Sequence, residues 1–198
     1  MKMFSSAPAP GATQAASPTL AASPRPAGPW LFGKLPAHGD FISRGLPPEL
    51  REQLDLWLSA ELAAARARFV DFDERYRLAP PWHFVDRDAA GAWSGGALCL
   101  SVDAVGRRFP ILLAAPAADA TDAVAKAWAL LELVFSALGE SWDAARLHEA
   151  LTALVPTPTA DAASTAPVWA IEAEDGTRVE TPGRFPAGLI ERMLELAE

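Results

Sequence analysis

Thirteen residues near the start of the hydrophobic part of the chain concentrate side chains that could do chemistry. The segment GKLPAHGDFISRG, residues 33–45, contains three glycines together with Lys34, His38, Asp40 and Arg44. Glycines beside a lysine could bind phosphate, a histidine beside an aspartate could support hydrolysis, and both could ligate a metal ion. Each of these chemistries requires a particular spacing.

The spacing disfavours phosphate binding and hydrolysis. A phosphate-binding Walker loop has the pattern GxxxxGK[ST], whereas here the lysine follows the first glycine and Asp40 follows the second. His38, Asp40 and Ser43 are the residue types of a catalytic triad, but they lie within six positions of one another, and triad members usually come from distant parts of the chain. A GxSxG nucleophile motif is also absent from the sequence.

Metal binding has no better support, because His38, Asp40, His83, Asp86 and Asp88 follow no zinc or calcium spacing. We therefore favour a structural loop, in which the glycines allow tight backbone turns. In this interpretation Lys34 and Arg44 pair with Asp40 or Asp103. The other interpretation that we keep is a recognition surface for a partner, because loops often carry binding function.

A second charged cluster lies in the segment SVDAVGRRFP, residues 101–110. Ser101, Asp103, Arg107 and Arg108 surround a glycine turn between two apolar runs. The simplest interpretation is a solvated turn with a salt bridge. The functional interpretation is that this turn and the first loop form one surface, where the two arginines could hold a phosphorylated residue of a partner.

Composition limits the classes of protein to consider. The chain has 198 residues, is 51% hydrophobic and carries a net charge of −8, so general binding to nucleic acid is disfavoured. One cysteine, Cys99, allows no intrachain disulfide, and no run of about 20 apolar residues is long enough to span a membrane. We expect no signal peptide, because the N-terminal segment has Lys2 but no long apolar core. We expect a cytoplasmic protein with an Ala/Pro/Ser-rich disordered tail over 1–28 and one domain over 29–198.

The predicted elements must position these two clusters. Helical periodicity predicts a helix over about 47–69, a second helix capped by Thr121 and ending at Gly139, a short helix from Ser141, and a last helix after Pro186. Extended pieces are predicted at 75–85 and 168–174. Residues 97–115 predict a hairpin with a loop of about five residues, whose second strand is covered on both faces. We predict an α/β fold, a mixed-sheet sandwich with helices on both faces.

Four segments in this order resemble the TagF (ImpM) family of proteins associated with bacterial type VI secretion. They are WLFGKLPAHGDFISRGLP, LDLWL, YRLAPPWHF and SVDAVGRRFP, and together they cover about residues 30–115. The chain departs from the family pattern at Leu54, where the family usually has a tryptophan. The matching polar positions are Lys34, Asp40, Arg44, Ser101, Asp103 and Arg107.

The resemblance implies a compact α/β sandwich that regulates a contractile injection machine. Members of the family repress assembly of this secretion system after translation, in part by binding a forkhead-associated scaffold protein. Some members are fused to a phosphatase domain, but we expect no phosphatase activity here, since we find no acidic metal-binding motif in the sequence. The resemblance transfers no catalytic residue, no cofactor and no metal, and it leaves the oligomeric state open.

Two functions therefore remain to be compared. The first is a non-enzymatic regulator that binds a secretion-system partner through the two charged clusters. The second is a small hydrolase or ligand-binding enzyme that uses the 33–45 loop, which predicts a concave pocket joining His38, Asp40 and Asp103.

Overall fold

The structure is a computed structural model that describes residues 26–154, 168–172 and 178–197. The predicted disordered tail covers residues 1–28, of which residues 1–25 lie outside the described residues. The strands are β1 (Trp30–Gly33), β2 (Ile42–Arg44), β3 (Trp82–Arg87), β4 (Trp93–Cys99), β5 (Ile111–Ala117), β6 (Val168–Glu172) and β7 (Arg178–Pro182). The helices are α1 (Pro48–Arg68), α2 (Phe72–Leu78), α3 (Ala120–Gly139), α4 (Ala144–Ala153) and α5 (Leu189–Glu195).

The seven described strands form one sheet in the order β2-β1-β5-β4-β3-β6-β7. Every pairing in it is antiparallel, which corrects the prediction of a mixed sheet. The reason is the connections: four of the six pairings join strands that follow each other in the chain, as hairpins do. The helices α3 and α4 lead from β5 to β6, which pairs antiparallel with β3.

Helices cover both faces of the sheet, as the sequence predicts. Alternate residues of β5 point to opposite faces: Leu112 packs in a core with α1, α2 and α5, while Leu113 packs in a second core with α3 and α4. The strand predicted to be covered on both faces is therefore confirmed. Cys99 at the end of β4 belongs to the second core and is buried.

Two neighbouring glycines in β4 allow close packing on both faces of the sheet. A Cβ on Gly95 would lie 2.0 Å from the carbonyl oxygen of Ala123 in α3. On the opposite face, a Cβ on Gly96 would lie 2.2 Å from the ring of Phe84. Side chains at these two positions would push the helix and the aromatic ring away from β4.

Some element boundaries differ from the predictions. Helix α3 is capped by Asp119, whose side chain accepts from Asp122 N, rather than by Thr121. Helix α4 is capped in the same way by Asp143 rather than by Ser141. Residues 72–78 form helix α2, so the first part of the segment predicted to be extended is helical. Pro80 and Pro81, which disfavour helix, lie beyond the end of this helix.

Candidate functional site

The first loop begins where β1 must turn sharply beside β5. Gly33 has a φ of 137°, and a Cβ there would lie 2.0 Å from the carbonyl oxygen of Pro110. Only glycine fits this position without moving the backbone. The backbone N–H of Lys34 donates to the same Pro110 oxygen at 3.3 Å. This hydrogen bond places the Lys34 backbone beside the start of β5.

Asp103 is the centre of the charged cluster. Its side chain is fully buried, and its Oδ2 accepts from Lys34 Nζ at 2.8 Å and from Arg107 Nε at 2.6 Å. Its Oδ1 accepts from the backbone N–H groups of Arg107 at 2.8 Å and Val105 at 3.1 Å. Two cations and two backbone donors thus satisfy one carboxylate, and Lys34 is itself only 7% exposed.

These contacts keep Asp103 ionised. Burial alone would raise the pKa of this carboxyl, but hydrogen bonds from Lys34, from the Arg107 backbone and from the Arg107 guanidinium outweigh it. The pKa of Asp103 therefore lies well below its usual value. The predicted pairing of Lys34 with Asp103 is present in the structure.

The loop and the hairpin turn are joined directly, and we call residues 33–41 together with 101–109 the brace. Ala104 N donates to the carbonyl oxygen of His38 at 2.8 Å. Arg107 donates from Nη2 to the carbonyl oxygen of Gly39 and lies 3.8 Å from Asp40 Oδ1. The two clusters that the sequence singled out therefore form one structural unit.

Ser101 contributes to the brace through its backbone. Tyr76 in α2 donates its hydroxyl to Ser101 O at 2.8 Å and accepts from Ser101 N at 3.2 Å. Burial raises the pKa of Tyr76 above its usual value. Sequence reasoning missed this residue, although it is the only tyrosine in the chain and lies in the quoted YRLAPPWHF segment.

His38 has a structural contact that a catalytic base would lack. Its Nε2 accepts from the backbone N–H of Ala144 at 2.8 Å, at the first residue of α4. Asp40 is at the opposite extreme, since its side chain is fully exposed. The structure therefore does not assemble His38, Asp40 and Asp103 as a pocket around one reacting atom.

Arg44 lies apart from the brace. It is exposed at the end of β2, an edge strand of the sheet, and its guanidinium donates to the neighbouring Ser43 carbonyl at 2.9 Å. The expected pairing of Arg44 with Asp40 or Asp103 is therefore not present. Among the residues that the structure describes, Lys34 and Arg107 are the cations that pair with Asp103.

An exposed apolar patch lies on the outside of the brace. Phe41 is 49% exposed, yet its ring packs against Phe109, with 4.7 Å between ring centroids. Lys34 Nζ lies 4.9 Å from the centre of the same ring. Val105, at the tip of the turn, is 72% exposed. We call Asp40, Phe41, Val105 and Arg107 the loop–hairpin face.

A concavity of about 40 Å³ includes no residue of the brace. It is lined by Trp30, Phe84, Trp169 and Phe185 and includes the Asp86–Arg184 ion pair. Among the residues that the structure describes, no three His, Cys, Asp or Glu side chains are grouped so that they could hold a metal ion. None of the described helices combines the length and the apolar character needed to cross a bilayer.

The architecture is thus a three-layer α/β/α protein in which a buried ion pair joins two surface loops. Its sequence matches the TagF N-terminal domain family, described as type VI secretion system-associated, over residues 30–154. The chain belongs to this family, as the sequence resemblance predicted.

The fold has a known relative among solved structures. The crystal structure of PA0076 from Pseudomonas aeruginosa PAO1, at 2.05 Å resolution, superimposes with a TM-score of 0.67 over 84% of this chain and 93% of that chain. The two sequences are 23% identical, so the similarity concerns the fold. A search of curated proteins finds no match.

Proposed function

We propose that this protein is a non-enzymatic accessory regulator of the bacterial type VI secretion system. It acts in the cytoplasm after translation, binds a forkhead-associated scaffold protein and so represses assembly of the machine. Membership of the TagF N-terminal domain family is the observation that carries the proposal, because it associates the chain with this secretion system.

The loop–hairpin face supports a binding role. Phe41 presents an aromatic ring that packing on Phe109 already holds in place, and Arg107 is fixed at its Nε by the buried Asp103. Aromatic and arginine side chains carry much of the binding energy at protein interfaces. A side chain that is held before binding loses less conformational entropy when the complex forms.

The contacts of His38 also favour binding over catalysis. The nitrogen that would accept a proton from a nucleophile already accepts the Ala144 N–H. The hydrolase hypothesis would need that nitrogen to be released and the exposed Asp40 to be brought inward. The enclosed concavity lined by Trp30, Phe84, Trp169 and Phe185 includes none of His38, Asp40 or Asp103.

The test is direct binding between this protein and the purified forkhead-associated protein of the same bacterium, measured by calorimetry. Val105→Glu places a charge on the loop–hairpin face without touching the buried ion pair, and we expect it to weaken binding by about tenfold or more. Leu56→Glu is the matched control, because Leu56 is a similarly exposed aliphatic residue, 67% exposed, on α1.

Each result has a clear meaning. Weaker binding by Val105→Glu with unchanged binding by Leu56→Glu supports the proposal and this surface. Equal binding by both variants moves the interface away from the loop–hairpin face. No binding by the wild type removes the scaffold as the partner. Repression is tested separately by counting assembled contractile sheaths in cells that overproduce the protein, where we expect fewer sheaths.

A further inference from the structure

A second surface is formed by residues of α1 and α2 together with Arg108 of the hairpin turn. Two adjoining concavities of about 740 and 510 Å³ share the residues Arg66, Ala67 and Arg108. The larger one continues along α2 to Arg77. We call this surface the arginine groove and define it by Arg66, Arg77 and Arg108.

Two of the three guanidinium groups rest on aromatic rings of α2. Arg66 lies 5.0 Å from the ring centre of Phe72, and Arg108 lies 5.8 Å from that of Tyr76. The two rings are themselves 5.4 Å apart and nearly buried. The two rings hold the two guanidinium groups next to each other in the free protein. Less side-chain conformational entropy is therefore lost when a ligand binds.

The acidic residues of the groove are grouped at its α2 end. Asp71 pairs with Arg75 at 2.9 Å, and Asp73 pairs with Arg108 at 3.2 Å. Glu74 is exposed at the same end. The smaller concavity contains no acidic residue; its lining is Ser59, Leu62, Ala63, Arg66, Ala67 and Arg108. An anion there would meet Arg66 without a competing carboxylate from the described part of the chain, and Arg108 together with its partner Asp73.

Arginine N–H groups remain available in the groove. Among the described residues, no carboxylate oxygen lies within 4.0 Å of the Arg66 or Arg77 guanidinium. Arg77 uses Nε to donate to the carbonyl oxygen of Asp73 at 3.2 Å. Arg66 is on the exposed face of α1. A guanidinium with free donors on a fixed base is suited to a planar carboxylate.

The rim adds an apolar element. Val70 lines the larger concavity and is fully exposed, and Phe69 beside it is only partly buried. A protein segment that carries both acidic and aliphatic residues could pair with the arginines and pack on these apolar side chains. A nucleic acid fits less well, because the chain has a net charge of −8 and repels polyanions at a distance.

We propose that the arginine groove binds an acidic, carboxylate-bearing segment of a protein partner. A carboxylate pairs with Arg66 and Arg108, and a neighbouring aliphatic side chain packs on Val70. A singly charged carboxylate matches the groove better than a phosphate, since Asp73 already offsets part of the Arg108 charge. The inference rests on the proposed function only in taking a protein as the partner.

The experiment uses defined peptides and not the forkhead-associated scaffold, so its failure is separate from failure of the proposed function. Fluorescence anisotropy measures binding of a short fluorescein-labelled peptide of Glu, Asp and Leu to the full chain. A second peptide has Gln and Asn in place of the acids, and a third has phosphothreonine in place of the acids. Arg66→Glu is compared with Arg51→Glu, a matched reversal at an exposed position of the same helix.

We expect the acidic peptide to bind more tightly than the amide peptide and more weakly at high salt. We expect Arg66→Glu to weaken it by about tenfold while Arg51→Glu leaves it unchanged. The proposal is overturned if Arg66→Glu binds like the wild type, if the amide peptide binds equally well, or if no peptide binds. Binding of the phosphothreonine peptide alone would also overturn it and would assign the groove to a phosphorylated partner.

Discussion

The brace and the arginine groove both rely on positively charged side chains, but these side chains have different surroundings in the two regions. In the brace, the carboxylate of Asp103 is inside the protein, and Lys34 and Arg107 converge on it. In the groove the surfaces of aromatic rings hold Arg66 and Arg108, and Arg66 has no carboxylate partner among the described residues. Charge that is satisfied internally stabilises the fold, whereas charge that is held in place but left unsatisfied can act on a partner.

The largest expected effect is in the brace. Lys34→Met leaves the buried Asp103 with Arg107 as its remaining cation, so we expect the free energy of unfolding to fall by about 3 kcal/mol. Urea denaturation followed by tryptophan fluorescence measures the change. Arg66→Met in the groove is the matched control and should leave the unfolding midpoint unchanged. Equal losses in both variants would contradict the distinction between the two regions.

Titration with acid distinguishes two buried groups: Asp103 of the brace, which is ionised in the folded protein, and His83, which is neutral there. Burial, with a smaller contribution from Arg178, lowers the pKa of His83 to about 4, and this histidine stacks against Trp128 with 4.5 Å between ring centroids. Between pH 6.5 and about 4 the unfolded state therefore binds a proton that the folded state does not. We expect stability to fall over this range by about 3 kcal/mol at most.

Asp103 also destabilises the folded protein as the pH falls, but over a lower pH range than His83. Because its folded-state pKa is lowered, its contribution is complete above the unfolded value of about 4 and is lost only as the pH falls further. Urea titrations at a series of pH values should therefore give a flatter profile for His83→Gln than for the wild type between pH 6.5 and 4. An identical slope in both proteins would assign the loss to other groups.

The smallest of these effects is at Tyr76, which contacts both regions. Its hydroxyl holds the Ser101 backbone of the brace, and its ring lies beneath Arg108 of the groove. Tyr76→Phe keeps the ring but removes the hydroxyl, so we expect a loss of about 1–2 kcal/mol in the free energy of unfolding. Binding of the acidic peptide should be unchanged. A loss of peptide binding in a stable Tyr76→Phe variant would show that the two regions are coupled.

The sequence predicted the helical layers and part of the site for identifiable reasons. Helical periodicity and proline placed α1 correctly, and the apolar run in β5 predicted burial on both faces. The Lys34–Asp103 pair could be proposed because both residues flank strands beside glycine turns. The sequence could not show that Lys34 and Arg107, rather than Arg44, bind Asp103. Arg44 lies on the edge strand β2 and donates to the Ser43 carbonyl instead.

Other features depend on tertiary contacts that local patterns do not encode. Strand direction was predicted wrongly because alternation within a strand does not reveal which neighbour it will have. Helix α2 is only seven residues long, too short for a clear periodicity, and it includes the tyrosine that anchors the brace. The arginine groove was missed because Arg66 and Arg108 are distant in sequence and are brought together by the two rings of α2.

The buried position of Cys99 provides a way to time motions of the sheet. It is the only cysteine of the chain, it lies at the end of β4, and burial raises the pKa of its thiol to about 12. A thiol in this state reacts slowly with alkylating reagents until the surrounding strands and helices separate. The rate of alkylation at neutral pH therefore reports how often the centre of the protein opens, without any added label.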